Sequence, residues 1–120
     1  MLAAIEPMHG NQVVVYLGNK LNSQMKRLVL DDSLAQGHAI WCADLDGDGS
    51  DEVIAAHREP KKDGTAPGIY LYQATDSSGE QWKRSQLDSP IACEDLWCAD
   101  FNDDGRIDIL AGGRATHDVN

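Results

Sequence analysis

An all-β fold built from repeated four-stranded antiparallel blades is predicted by three observations. The chain repeats itself at an offset of 56 residues, its apolar runs are short and bounded by turn formers, and no segment carries a convincing helical pattern. "IWCAD" at residues 40–44 returns as "LWCAD" at 96–100, and "VVVY" at 13–16 as "IYLY" at 69–72. "QMKR" at 24–27 returns as "QWKR" at 81–84 with one residue of slippage. Repetition at this spacing is settled before any other fold argument, because repeat architectures bury their cores between neighbouring units.

Taken in order, Leu2-Ala3-Ala4-Ile5 reads as an opening strand, Val13–Tyr16 as a second, and the stretch around Gln24–Arg27 as a polar third. Ile40–Ala43 and Val53–Ala56 are nearly continuous apolar runs, as expected of strands covered on both faces. Ile69–Tyr72 is rich in β-branched and aromatic residues. Trp82–Leu87 is polar and charged, which suits an outer edge where lysine discourages unwanted pairing. Gly47-Asp48-Gly49, the run from Lys62 to Gly68, and Asp76-Ser77-Ser78-Gly79 supply the turns between them.

Four antiparallel strands per repeat, apolar inside and polar outside, is the anatomy of a β-propeller blade. The expected division is a single segment, 1–120. Residues 1–37 form a partial blade (strands 2 to 4), 38–89 a complete blade, and 90–120 a further partial blade that begins its first strand at Leu96 and stops soon after His117-Asp118-Val119. A closed ring needs about four to eight blades and this chain supplies about two, so the ring is incomplete. The chain is therefore expected to be a fragment of a larger propeller or a homo-oligomer that closes its ring with copies of itself.

Composition narrows the partners. The 120 residues are 42% hydrophobic and carry a net charge of -10, yet nine of the twenty acidic residues lie in two short loops, and the remaining eleven nearly balance ten lysines and arginines. A local excess of carboxylates points to a hard cation more than to a basic surface. Nucleic acid is excluded as a partner, since the one basic cluster, Lys61-Lys62, is too short. No run approaches the roughly 18 to 20 apolar residues of a membrane span, and Met1–Glu6 carries no readable leader. The three cysteines, Cys42, Cys93 and Cys98, show no CxxC spacing; Cys42 and Cys98 sit at equivalent places and read as small buried hydrophobes.

The loops are "DLDGDGSDE" at 44–52 and "DFNDDGRID" at 100–108. Counting from the first aspartate, side-chain oxygens stand at positions 1, 3, 5 and 9: Asp44, Asp46, Asp48 and Glu52, then Asp100, Asn102, Asp104 and Asp108. Gly49 and Gly105 hold position 6, where a positive φ reverses the chain, and the carbonyls of Ser50 and Arg106 at position 7 add a ligand each. Calcium takes six to eight oxygens, so these groups with water fill its shell; magnesium is possible but less suited to so flexible a ring. An EF-hand is excluded because position 12 is Ala55 or Ala111, inside a strand-like run. Two calcium sites, each clamping a hairpin between the first and second strands of a blade, follow from this reading. Trp41 and Trp97 recur at equivalent positions and read as core, and Trp82 as packing against a neighbour, with sugar stacking as its alternative.

"DLDGDGSDEV" and "DFNDDGRIDI" resemble the FG-GAP or VCBS repeats of calcium-binding β-propellers, best known from the head of integrin α subunits, and the likeness spans both repeat periods. The resemblance implies the same ten ligating residues and a place in a propeller of about seven blades. "IAAH" and "LAGG" stand where the GAP word would fall, which favours the broader microbial group. Related repeats also serve in lectins and in carbohydrate lyases, so the fold does not choose a function.

No nucleophile or phosphate-loop motif is present, and no catalytic residue is assigned. His38, Glu94 and Asp95 precede the first strands while His57, Arg58, Arg114 and His117 follow the second ones, so all are expected at the end of the blade opposite the acidic loops. The first functional expectation is a non-catalytic calcium-binding module whose loops present a protein- or glycan-binding surface. A propeller part of a carbohydrate-active lyase or dehydratase, using the His and Arg group, is the alternative, and an oligomeric lectin is another. Millimolar calcium fills such loops outside the cytosol, which points to a secreted, periplasmic or cell-surface setting.

Overall fold

The computed structural model describes residues 1–18 and 24–113. The described residues form nine strands and no helix: β1 (Leu2–Glu6), β2 (Gln12–Gly18), β3 (Met25–Asp31), β4 (Gly37–Ala43), β5 (Glu52–His57), β6 (Ile69–Ala74), β7 (Trp82–Asp88), β8 (Cys93–Ala99) and β9 (Asp108–Gly113). They pair in chain order into three antiparallel sheets, β1-β2-β3, β4-β5-β6-β7 and β8-β9. The fold is thus all-β, and the three sheets do not close a ring. No described helix is long and apolar enough to cross a membrane.

The strongest sequence signal, the run Val53-Ile54-Ala55-Ala56, has a direct structural cause. Successive side chains of a strand point to opposite faces, so a strand covered on both sides must be apolar at every position. Ile54 and Ala56 enter the core shared with the β8-β9 sheet, among Ile91, Cys93, Leu96 and Ala111. Val53 and Ala55 enter the core shared with the β1-β2-β3 sheet, among Val13, Val15, Leu34 and Tyr72. All four are fully buried. The same alternation sends Ile69 and Leu71 of β6 one way and Tyr70 and Tyr72 the other.

Outer and inner edges differ. β7 exposes most of its residues, as its polar sequence requires. β4 and β8 pair on one side only and are less enclosed than β5, which alters the fate of the repeated tryptophans. Trp41 is half-buried and Trp97 is 54% exposed, with ring centroids 4.8 Å apart and planes tilted by 37°. Trp97, expected in the core, is therefore a surface ring stacked on its repeat partner. Tilted aromatic pairs contribute about 0.5–1.5 kcal/mol beyond area burial. A double-mutant cycle of Trp41→Leu and Trp97→Leu in urea melts should return a coupling of about 1 kcal/mol, and a coupling of zero would show that the rings merely lie near each other.

The cysteines are free, Cys93 and Cys98 buried and Cys42 half-buried. Burial pushes the Cys93 and Cys98 thiols up to about 11; of the repeat pair read as small buried hydrophobes, Cys98 is buried and Cys42 half-buried. Trp82 packs against the Val13–Tyr72 core and its indole N–H donates to the Gly79 carbonyl at 2.6 Å.

Between the first two sheets lies a buried polar link. Asp31, at the end of β3, accepts from Tyr72 Oη (2.7 Å), from Arg84 (2.9 Å) and from the Ser33 hydroxyl (2.6 Å). Lys61 donates to the same Ser33 oxygen at 2.9 Å, and Lys61 and Arg84 both lie over the Tyr70 ring. Buried charge persists only where partners replace its water, and here two sheets supply them.

Candidate functional site

The β4–β5 turn is made by its own backbone. Gly47 and Gly49 take φ values of 77° and 91°, and a side chain at either would strain the chain. This winding points successive N–H groups inward. Asp44 Oδ1 accepts from Gly47 N (2.8 Å) and Asp48 N (3.1 Å), and its Oδ2 accepts from Gly49 N (2.9 Å). Asp46 Oδ1 accepts from Asp48 N, and Asp48 Oδ1 from Ser50 N. Glu52, on the first residue of β5, reaches back so that its Oε2 accepts from Leu45 N at 2.8 Å.

The result is a cluster in which Asp44, Asp46, Asp48 and Glu52 each offer an oxygen within 4.8 Å of every other. Oxygens at 2.3–2.6 Å from a shared calcium lie at most about 5 Å apart, so this spread fits one coordination sphere. Glu52 is buried, and burial pushes its carboxyl above the usual range; Asp46 and Asp48 add to that push, against the backbone N–H groups of Leu45 and Asp46. A dication in the ring would reverse the balance by favouring the ionised form. The donor set is all oxygen and suits a hard cation.

The β8–β9 turn repeats the skeleton. Gly105 has φ 84° and Asp103, matching Gly47, has φ 64°. Asp100 accepts from Asp104 N and Gly105 N, Asn102 Oδ1 from Asp104 N, Asp104 Oδ1 from Arg106 N, and Asp108 Oδ2 from Phe101 N. The acidic oxygens of Asp100, Asp104 and Asp108 do not converge as closely: among the described residues, only the Asp44 loop brings three or more acidic ligand atoms within that distance. The reasons are local. Asn102 replaces a carboxylate, and Asp108 is one methylene shorter than Glu52 although it accepts from the equivalent backbone N–H. Beside the first loop, a groove of about 650 Å³ runs to the β6–β7 turn, lined by Asp46, Glu52, Gln73, Asp76 and Lys83.

A family model for the FG-GAP-like repeat matches residues 44–111, more than half of the chain, from the first aspartate of one loop to the strand after the other. The chain belongs to the FG-GAP-like repeat family. No curated protein and no solved structure matches it. FG-GAP membership agrees with the antiparallel blades described above and with an acidic cluster able to hold a metal ion.

At the opposite end of the FG-GAP blades, the predicted His and Arg group is partly assembled. His38 and Arg58 meet at Glu94: His38 Nδ1 lies 2.6 Å from the Glu94 carbonyl, His38 Nε2 lies 3.4 Å from Glu94 Oε2, and Arg58 lies 3.3 Å from Oε1. His57 instead turns into the core, stacked on Tyr70 at 5.7 Å, with Nδ1 2.8 Å from the Glu59 carbonyl. Burial holds its imidazole below the usual value, so His57 is a neutral packing residue. Asp95 Oδ1 accepts from its neighbour Leu96 N. Arg114 and His117 lie outside the described residues. Two members escaped the sequence reading: His9, whose ring stacks on His38 at 5.0 Å, and Gln36, whose Oε1 accepts from Arg58 at 3.1 Å. His9 comes from the β1–β2 turn, distant in sequence, whereas Gln36 stands just before His38, and no local motif marks either.

Proposed function

We propose that this chain is a non-catalytic calcium-binding β-propeller repeat module. Calcium in the 44–52 and 100–108 loops clamps the β4–β5 and β8–β9 hairpins, and the loops with their adjoining groove present a surface to a protein or glycan. The observation that carries the reading is the convergence of Asp44, Asp46, Asp48 and Glu52 on one point. Unneutralised, these carboxylates repel one another; a dication converts the repulsion into a clamp. Calcium binding of the full chain by calorimetry should show a stronger and a weaker site, the stronger lost in Asp46→Ala, with magnesium binding less well. A chain that takes up no calcium at millimolar concentration sinks the proposal.

Millimolar calcium would saturate even a weak loop of this kind, which favours a secreted, periplasmic or cell-surface setting. Leu2, Met25, Trp97 and Leu110 are exposed apolar residues on the outer sheets, and Phe101 is one in the β8–β9 turn. They suit cover by further blades, from a longer chain or from another copy. The alternative reading, a propeller part of a carbohydrate-active lyase or dehydratase, draws on the meeting of His38, Glu94 and Arg58 at the far end. Turnover of an acidic polysaccharide by the chain within its natural assembly would favour it.

A further inference from the structure

We propose that His57 is the pin of an acid-operated latch between the first two blades: anchored to the β5–β6 loop, it holds the start of that loop against the β3–β4 loop, and mild acid releases it. His57 is the last residue of β5 and is fully buried. A polar ring at such a site needs a partner for each nitrogen. Nδ1 lies 2.8 Å from the Glu59 carbonyl, which only accepts, so the hydrogen of the neutral imidazole sits on Nδ1. Nε2 is then a bare acceptor. Among the described residues it is the one buried side-chain nitrogen or oxygen without a hydrogen-bond partner.

Neighbours that favour a second proton are outweighed. Tyr70 stacks on the imidazole with planes 14° apart and closes one face of it. Lys61 Nζ stands 4.5 Å from the centroid of the same Tyr70 ring and the Arg84 guanidinium 5.1 Å, so the surroundings already hold two cations. Asp31 is the counter-charge within the group, and Tyr72, Arg84 and Ser33 already occupy its oxygens. Burial, with Lys61, holds the imidazole below its usual value against the pull of the Glu59 and Ala35 carbonyls and of Asp31.

The latch itself is backbone. Glu59, whose carbonyl anchors Nδ1–H, donates its own N–H to the Ala35 carbonyl at 3.2 Å, and Arg58 N donates to the Gln36 carbonyl at 3.0 Å. Further along, Lys61 Nζ donates to Ser33 Oγ at 2.9 Å. These contacts tie the loop after β5 to the loop after β3, and so the second sheet to the first. Cavities of about 490 and 350 Å³ flank Lys61 and give it room to leave Ser33. Opening breaks a few loop hydrogen bonds and no strand pairing, the kind of event that occurs well below the free energy of global unfolding. Once exposed, the imidazole takes a proton near its ordinary value of 6.5. Because the closed form binds that proton less readily, closure is complete above this value and weakens as pH falls below it. At about pH 5.5 the bias toward the open form is up to about tenfold greater than at about pH 7.5.

Native-state hydrogen exchange of the full chain, read at the Arg58 and Glu59 amides, tests the latch. After correction for the intrinsic pH dependence of exchange, their opening should be about three- to tenfold more populated at about pH 5.5 than at about pH 7.5. Urea at about 1 M should leave it unchanged, since a local event exposes little surface. In His57→Asn, whose side-chain N–H can still donate to the Glu59 carbonyl, the pH effect should vanish. Nitrogen-15 spectra of the unmodified chain should show His57 as the neutral Nδ1–H tautomer at about pH 6, a readout that does not depend on the variant folding. An opening that ignores pH, an acid effect that persists in His57→Asn, or a folded imidazolium at that pH overturns the proposal. So does an opening as sensitive to urea as that of the β2 amides, because acid would then act only on unfolding of the whole chain.

Discussion

Exchange of Asp44 for alanine is expected to remove most of the thermal stabilisation that calcium gives the chain. A ligand at a hundred times its dissociation constant stabilises the state it binds by about 2.7 kcal/mol. In a domain of this size each kcal/mol moves the melting temperature by about 3–5 °C, so saturating calcium should raise it by about 8–14 °C. Asp44 has two duties: it offers a ligand oxygen, and it caps the turn by accepting from Gly47, Asp48 and Gly49. Alanine loses both. The Asp44→Asn variant keeps one of the two acceptor oxygens for the turn, sets its NH2 against one backbone N–H and loses the charge, so its calcium-free form should be more stable than Asp44→Ala while its calcium response collapses. Asp51, exposed and outside the ligand positions, is the control, and Asp51→Asn should respond nearly as the parent does. Scanning calorimetry with calcium and with chelator checks all four proteins. A calcium response that survives Asp44→Ala would remove this loop from the stabilising site.

The features legible in the sequence are those set by local chemistry or by repetition. β5 declares itself because a strand buried on both faces has no polar position to offer, and Val53–Ala56 has none. The acidic loops declare themselves because the turn, the capping oxygens and the ligand oxygens are the same few residues at fixed spacing. The hidden features depend on which strand has a neighbour and on contacts across sheets. Trp97 carries the same local sequence as Trp41, and its exposure reflects its place on the last described sheet, which has a sheet packed on one face, whereas the sheet of Trp41 has one on each. His57 and Arg58 are adjacent in sequence, yet His57, the last residue of β5, turns into the core against Tyr70 and Arg58, just beyond the strand, reaches Glu94. His38 and Glu94 are each the extra residue of a β-bulge, yet neither is glycine or proline, so nothing at their own positions announces the break in register. The Asp31 link joins residues 41 and 53 positions apart, and nothing near Asp31 in the chain forecasts Tyr72 or Arg84.

That link should dominate the chain's stability at neutral pH. Asp31 belongs to the first sheet, whereas Tyr72 and Arg84 belong to the second, so the carboxylate couples two blades as well as balancing a charge. Asp31 is buried but the Arg84 side chain is 45% exposed, so removing Asp31 costs less than the loss of a fully buried partner, about 2–3 kcal/mol, most of it from the Tyr72 hydroxyl left without its acceptor. In Asp31→Ala the Tyr72 hydroxyl and the Arg84 guanidinium are the groups left behind, and burial together with Asp31 already raises the phenol well above its ordinary range. Small domains have about 5–15 kcal/mol in total, so the variant should lose a sizeable share of its stability. Acid should act through the same group. Burial alone would raise the Asp31 carboxyl, but hydrogen bonds from Ser33, Tyr72 and Arg84 outweigh it and lower its value from 3.8 to about 2. Because the folded value lies below the unfolded one, the contribution is complete above about pH 4 and fades as pH falls toward 2. Its size is on the order of 2 kcal/mol. Urea melts at about pH 7, 4 and 2.5 on the parent and on Asp31→Asn isolate it by difference, since the acidic loops titrate in both. The stability gap should be large and constant between about pH 7 and 4 and shrink below it; a gap under about 1 kcal/mol at neutral pH, or one that does not shrink in acid, would show that the two sheets hold together by their apolar faces alone.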